Sequence, residues 1–528
     1  MKEKNKYRFF LGLIILVGAF VRLVGISNPE TGFYVDEAAL GYNAKSLIET
    51  GTDEYGKSFP LAFRSFGDFK SPLYIYSAIP LVKLLGIPLG VRLTSAVWGI
   101  LTIWWVAEVA REVVRKKKKD KNNWVGLMAG LTIALLPWHV NLSRHAIEAV
   151  MATALWSGGL LLVLKNRYPG AIAILTLSAL TYHSTKYVAP LLVLLLLFFL
   201  FKKKGKRKLD SMMILACIFW IGTTVINLQS FSNARALGVA SMGINGWGKT
   251  IRDMASTYFS YFSPRVLNIG DWQVRNSVYG ISNVPLIVIC LFYLGVWQTI
   301  KKLKDKDNFK QILLLSILIL SPLPASATID PFHSIRSLIM VVPLSVLAGV
   351  GAGWLIDRVV GKYKKLLFIF VFCLTVGQTL FLIERLLIQN TLVGYDNWAW
   401  GYEELIEKTV ALDTSEYKKI YVDTTDASAI YSTWLVFGEV DTKEKIPFKK
   451  GYYDLVKWQS PEKVNIKGDK TVYFKEIYWP KDQLEENTLF IGSYKRFDPT
   501  ALQEAKAEIV GEVKDKTGKT WWMIVATP

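Results

Sequence analysis

The sequence predicts a polytopic α-helical membrane protein with a C-terminal α/β or α+β domain. Three observations predict it. Apolar runs recur along roughly the first three quarters of the chain, among them "FFLGLIILVGAFVRLVGI" (9–26), "YVAPLLVLLLLFFLF" (187–201) and "LLFIFVFCLTVGQTLFLI" (366–383). Hydrophobic residues make up 52% of the 528, more than an ordinary soluble protein carries. Beyond about residue 390 the pattern changes to polar and alternating.

A helix that crosses a bilayer needs about 20 largely apolar residues. The first run, 9–26, follows the basic segment "MKEKNKYR". It runs past the length of a signal peptide, and no convincing small-x-small cleavage site follows. It reads as a retained first span. The net charge of +20 does not point to nucleic acid, because the basic residues are grouped in short blocks between apolar runs. "RKKKKDK" (115–121), "KNR" (165–167), "KKKGKRK" (202–208), "KKLKDKDNFK" (301–310) and "DRVVGKYKK" (357–365) are such blocks. Short Lys/Arg-rich loops stay cytoplasmic, so the N-terminus and these loops are expected inside.

Between residues 1 and 115 the chain must then cross an even number of times. The middle apolar stretch, "PLYIYSAIPLVKLLG" (72–86), is short and holds two prolines and Lys83. It is expected as an interfacial or re-entrant helix on the outer side. The remaining runs alternate, with spans near 9–26, 91–112, 124–139, 147–164, 170–183, 187–201, 211–228, 284–300, 311–328, 337–356 and 365–384. The expectation is therefore about eleven transmembrane helices in a domain over 1–389, with external juxtamembrane helices. An extracytoplasmic domain follows over 390–528. In it "WGYEELIEKTVAL" (400–412) reads as a helix. "KKIYVD" (418–423), "TVYFKEIYW" (471–479) and "TLFIGSYKRF" (488–497) read as strands, and 507–526 as a hairpin around "KTG".

Cys217, Cys290 and Cys373, the three cysteines, each fall in an apolar run. They read as small buried hydrophobes rather than disulfides or metal ligands. The four histidines, His139, His145, His183 and His333, show no zinc spacing, and no cofactor or metal is expected to be required.

The polar residues gather on the expected outer boundary, not at mid-membrane. A transporter would show buried ionisable sites near the midplane, often in paired repeats, and the sequence shows neither. Asp36 and Glu37 open the helix-like stretch "DEAALGYNAKSLIETG". One reading is a capped surface helix whose dipole favours the carboxylates. The other is a general base that takes a proton from a hydroxyl. Lys70, Arg92, His333 and Arg336 lie near the same boundary, as do Arg144, His145 and Glu148. Each can be an interfacial anchor. Together they are the cations a phosphate would select.

"RLVGISNPETGFYVDEAALGYNAKSLIETG" resembles the start of the polyprenyl-phosphate-sugar-dependent glycosyltransferases of the GT-C superfamily. Protein O-mannosyltransferases and the aminoarabinose transferases that modify lipid A are among them. Members carry an acidic pair in the first external loop, then a lysine-proline-proline-leucine-like stretch, then arginine-leucine at the second span. Here these are Asp36-Glu37, "FKSPLYIY" (69–76) and Arg92-Leu93, with Ser71 where a proline is common. The resemblance covers roughly 1–385.

It implies transfer of a sugar, with inversion, from a polyprenyl-phosphate donor to an extracytoplasmic hydroxyl on a lipid, glycan or protein. Asp36 would be the base and Glu37 its support. Lys70, Arg92 and Arg336, with His333 second to them, would bind the donor phosphate. Glu148 matches a second acid found in some members. The multi-pass chain would sit in the plasma membrane. Two other readings stand beside it: a flippase for lipid-linked glycans, and a non-catalytic anchor that presents a glycan-binding domain. Trp398, Trp400, Trp521 and Trp522 could stack on sugars or serve as core aromatics.

Overall fold

The computed structural model describes all residues except 1–2, 29–31, 66–67, 116–122, 205–210, 230–246, 272, 329–331, 390–398, 426–429, 447–460 and 469. Trp398 and part of the basic blocks at 115–121 and 202–208 therefore lie outside the described residues. The chain divides into two compact units. One joins Met1–Ile26 to Arg92–Gln389, and the other joins Ser27–Val91 to Asn390–Pro528. The first external loop thus counts with the tail.

In the first unit a helix stands at each of the eleven expected spans, from Glu3–Leu23 to Lys362–Glu384. Among the described residues six helices are long and apolar enough to cross a membrane. The pair Asn123–Leu135 and Pro137–Arg144, bent by 54° at its break, makes a seventh if it is one span. Pro137 explains the break: it lacks the amide hydrogen a continuous helix needs. Glu148–Leu164, Tyr168–Ala179 and Ser211–Val225 are shorter apolar helices.

Packing in this unit depends on "GVGAG" (349–353) in the helix Val341–Ile356. A Cβ on Gly349 would lie 2.6 Å from the Val125 carbonyl oxygen. A Cβ on Gly351 would overlap the carbonyl of Leu291, and one on Gly295 that of Leu347. The helix therefore meets Asn123–Leu135 on one side and Leu286–Lys301 on the other at backbone distance. Small residues are how apolar helices associate where lipid removes the hydrophobic drive. The expected burial of the cysteines fails for two of three: Cys290 and Cys373 lie exposed on their helices, and Cys217 is half-buried. All three are free thiols. An apolar run does not say which of its faces meets protein.

The second unit holds a hairpin of β1 (Phe63–Ser65) and β2 (Asp68–Lys70). It also holds a six-stranded sheet of β3 (Lys419–Asp423), β4 (Lys463–Ile466), β5 (Lys470–Lys475), β6 (Thr488–Ser493), β7 (Glu508–Lys514) and β8 (Thr520–Ala526). The order is β4-β5-β3-β6-β8-β7. β3 runs parallel to β5 and β6, and the outer pairings are antiparallel. The four strand regions and the helix read from sequence are all present, the helix as Tyr402–Ala411. The short β4 and the helix Tyr431–Phe437 were not anticipated.

Alternation assigns the two faces of the sheet. Ile420, Val422, Leu489, Ile491 and Ile524 face a layer built from Leu405, Ile406, Tyr431 and Trp434, together with Val35, Ala39 and Tyr42. Phe490, Met523 and Val525 face Trp479, Phe497 and Leu502 on the other side. The helix Val35–Thr50 is thus a layer of the tail's domain. Polar contacts fix it there: Ser432 Oγ donates to the Val35 carbonyl at 2.9 Å, and Thr442 Oγ1 to Glu49 at 2.6 Å. Lys445 Nζ reaches Ser46 and Thr50, each at 3.0 Å.

Candidate active site

In the second unit the helix Val35–Thr50 begins after Tyr34 and ends at Gly51, whose φ of 70° is the left-handed conformation that closes helices. Asp36 and Glu37 sit in its first turn, and the structure gives them different surroundings. Glu37 is fully buried, and its Oε2 accepts from the Tyr34 amide at 3.2 Å. This is the reach-back half of a capping box. Asp36 keeps 30% of its side chain exposed, and its Oδ1 accepts from Lys70 Nζ at 2.6 Å. Lys70 is 5% exposed and stands at the end of β2. The hairpin brings a cation to an acid 34 residues earlier in the chain. Lys70 is thus seated on Asp36.

A further acid shares this unit. Glu54 is buried, and neither carboxylate oxygen has a hydrogen-bond partner. Burial, reinforced by Asp53, pushes its carboxyl up from 4.5 to about 8; Asn43, Lys70 and Arg64 oppose the rise. Sequence reasoning missed it, since "GTDEYG" (51–56) reads as a plain polar turn.

In the first unit Arg92 lies in the first turn of the helix Leu89–Val114, buried, with Nη1 donating to the Ile26 carbonyl at 3.3 Å. Arg144 ends the helix Pro137–Arg144 and donates to the carbonyls of Val21 at 2.9 Å and Arg22 at 3.3 Å. Arg22 is fully buried and donates to the carbonyls of Gly18, Ile133 and Ala134, with His139 Nδ1 at 2.8 Å. Arg22 and Arg144 thus meet open carbonyls in the last turns of the helices Asn123–Leu135 and Glu3–Leu23, where the dipole also favours a cation.

His333 is buried and Arg336 half-buried. Their segment is fixed by its backbone. The His333 amide donates to Tyr261 Oη at 3.0 Å, the Ser334 amide to Asp271 Oδ2 at 2.7 Å, and Trp138 Nε1 to the Ser334 carbonyl at 3.0 Å. Burial pushes Asp271 up, and the amides of Ser334 and Gln273 pull it back. Asp271 was not singled out from sequence; nothing local in "NIGDWQ" (268–273) announces a partner 63 residues away. Glu148 is half-buried at the first position of the helix Glu148–Leu164. Among the described residues no three His, Cys, Asp or Glu side chains converge as metal ligands would.

The tail tryptophans have structural partners. Trp522 Nε1 donates to the Trp400 carbonyl at 2.9 Å and its ring packs on Tyr402, with centroids 4.4 Å apart. Trp521 Nε1 donates to Asp515 Oδ2 at 2.9 Å.

No protein-family model matches the sequence, and no curated protein matches it. Solved structures do match in shape. ArnT from Cupriavidus metallidurans bound to undecaprenyl phosphate aligns over 98% of both chains, with a TM-score of 0.58 at 13% identity. Its apo state aligns over 100% of this chain and 98% of that one, with a TM-score of 0.57 at 14% identity. The archaeal oligosaccharyltransferase AglB from Archaeoglobus fulgidus, in complex with an inhibitory peptide and a dolichol-phosphate, aligns over 98% of this chain and 74% of its own. Its TM-score is 0.50 at 11% identity. The chain thus shares its fold, a helical unit and a sheet-containing unit, with ArnT and AglB.

Proposed function

We propose that the protein is an integral-membrane glycosyltransferase that moves a sugar from a polyprenyl-phosphate donor to an extracytoplasmic hydroxyl, with inversion. The observation that carries this reading is the half-exposed Asp36 carboxylate held at 2.6 Å by the buried Lys70 ammonium. A carboxylate in a fixed orientation, open to solvent on one side, can take the acceptor's proton as its oxygen attacks the anomeric carbon. The carbon–oxygen bond to the phosphate breaks, and its electron pair leaves with the phosphate. A phosphate leaving group needs no protonation, so cations that meet its growing charge are enough. Arg92, Arg336 and His333 are assigned that role. Lys70 has three donor hydrogens and serves both acid and phosphate. Glu37 holds the helix start that aims Asp36. The fold shared with ArnT, and the undecaprenyl phosphate in that protein's structure, support a lipid-phosphate donor here. The sugar is a hexose or pentose by the same resemblance.

The test uses the full chain in nanodiscs with radiolabelled polyprenyl-phosphate sugars. Asp36→Asn keeps the size and loses the base. Release of polyprenyl phosphate should fall by about 10²–10⁴-fold, with donor binding retained. Equal turnover by the two proteins would remove Asp36 from the chemistry and leave it a helix cap.

A further inference from the structure

The tail sheet has a topological switch point. The chain leaves the carboxyl end of β3 toward β4 and β5, and leaves the neighbouring parallel strand β6 toward β7 and β8. Where connections part in opposite directions from adjacent parallel strands, a crevice opens at their carboxyl ends, and ligands bind there in open α/β sheets. A cleft of about 360 Å³ is found at the carboxyl end of β6, lined by Trp479, Tyr494, Lys495, Arg496 and Asp498 among others. That volume is in the range of small-ligand sites.

The lining is specific. Asp423, the last residue of β3, accepts from Arg496 Nε at 3.1 Å, which ties the guanidinium to the strand ends. Its other oxygen is engaged by the Ile477 amide at 3.0 Å and by Thr425. Asp498 is occupied in the same way, accepting from the amides of Thr500 and Ala501. Lys495 is exposed. Lys519 lies 5.5 Å from the Tyr494 ring centre and 4.4 Å from that of Trp521, adding a third cation beside the cleft. Trp479 is 3% exposed, and its indole Nε1 is buried with no hydrogen-bond partner. Its ring packs edge-on against Phe490 and Phe497 and forms the floor of the cleft.

We propose that this cleft binds an anionic saccharide. A sugar ring stacks on Tyr494, and its carboxylate or phosphate meets Lys495 and Arg496. This site is separate from Asp36 and does not rest on the transfer reaction.

Calorimetric titration of the full chain in nanodiscs tests it with three probes: tetragalacturonate, a phosphorylated maltotetraose and neutral maltotetraose. At least one anionic probe should bind about tenfold more tightly than the neutral one. Which anionic probe binds separates a uronate from a phosphate ligand. Lys495→Glu, an exposed change, should weaken that binding by about tenfold or more without shifting the thermal midpoint, and Tyr494→Ala should weaken it too. The proposal is overturned if neither anionic probe binds the wild type, if the neutral probe binds as well, or if Lys495→Glu binds unchanged.

Discussion

The two units hold their helices by opposite means. In the first, Val341–Ile356 meets its neighbours through glycines, backbone against backbone, with nothing to spare for a side chain. In the second, Val35–Thr50 is held by side chains that reach across: Ser432 to Val35, Thr442 to Glu49, Lys445 to Ser46. The difference teaches what each surface is for. Glycine contacts make a frame that tolerates no change in spacing. Polar contacts aim one particular turn, the one that carries Asp36, and their loss is graded.

Three substitutions probe the contrast, in falling order of effect. Gly295→Leu drives a side chain into the Leu347 carbonyl, so it should destabilise the frame by about 3 kcal/mol or more and cut the yield of folded protein. A yield and thermal midpoint equal to wild type would mean that the helices are not packed backbone to backbone.

The second is Glu54→Gln. Burial raises Glu54 from 4.5 to about 8, so between these values the native state holds a proton that the unfolded chain has lost. The stability from the protonated acid is complete below 4.5 and disappears as pH rises through 8. The thermal midpoint of the wild type should fall by a few degrees between pH 5 and 8. The glutamine variant should lose this slope. A wild-type midpoint flat across that range would show that Glu54 is solvated or paired.

The third is Ser432→Ala, which deletes one buried hydrogen bond between tail and loop. It should cost about 1 kcal/mol, and the useful readout is the rate of the proposed sugar transfer at a temperature where the fold is intact. A small fall in rate with Asp36 present supports aiming by the tail. A stability change with no change in rate would make the contact mere packing.

The sequence made the helical frame legible because apolar length is a local property: each of the eleven runs became a helix. Alternation likewise exposed β3, β5, β6 and the β7–β8 hairpin. "KVNI" (463–466) is too short for that signal, and it is a strand only because β5 lies beside it. The candidate site was legible in its residues but not in its roles. Asp36 and Glu37 are adjacent and chemically alike, yet one meets a lysine and the other a backbone amide. Which carboxylate turns inward depends on a helix phase set by the tail. Arg22 could not be read as a helix-end partner, because the break after Leu135 places the Ile133 and Ala134 carbonyls it meets. Glu54 is invisible to pattern, since its burial is set by the fold around it, with Tyr55 and the distant Tyr431 among its neighbours.

The bond from Ser432 to Val35 joins residues 397 positions apart. The layer behind Val35 also needs β8, an interior strand made from residues 520–526. Domains generally fold in order of synthesis, but this one cannot: its first layer is made early and its last strand nearly 500 residues later. Through most of translation the turn bearing Asp36 has no sheet to rest on. Until β8 is made, the nascent chain carries the acid without its full scaffold. Synthesis of β8 is itself the step that completes the layer behind Val35.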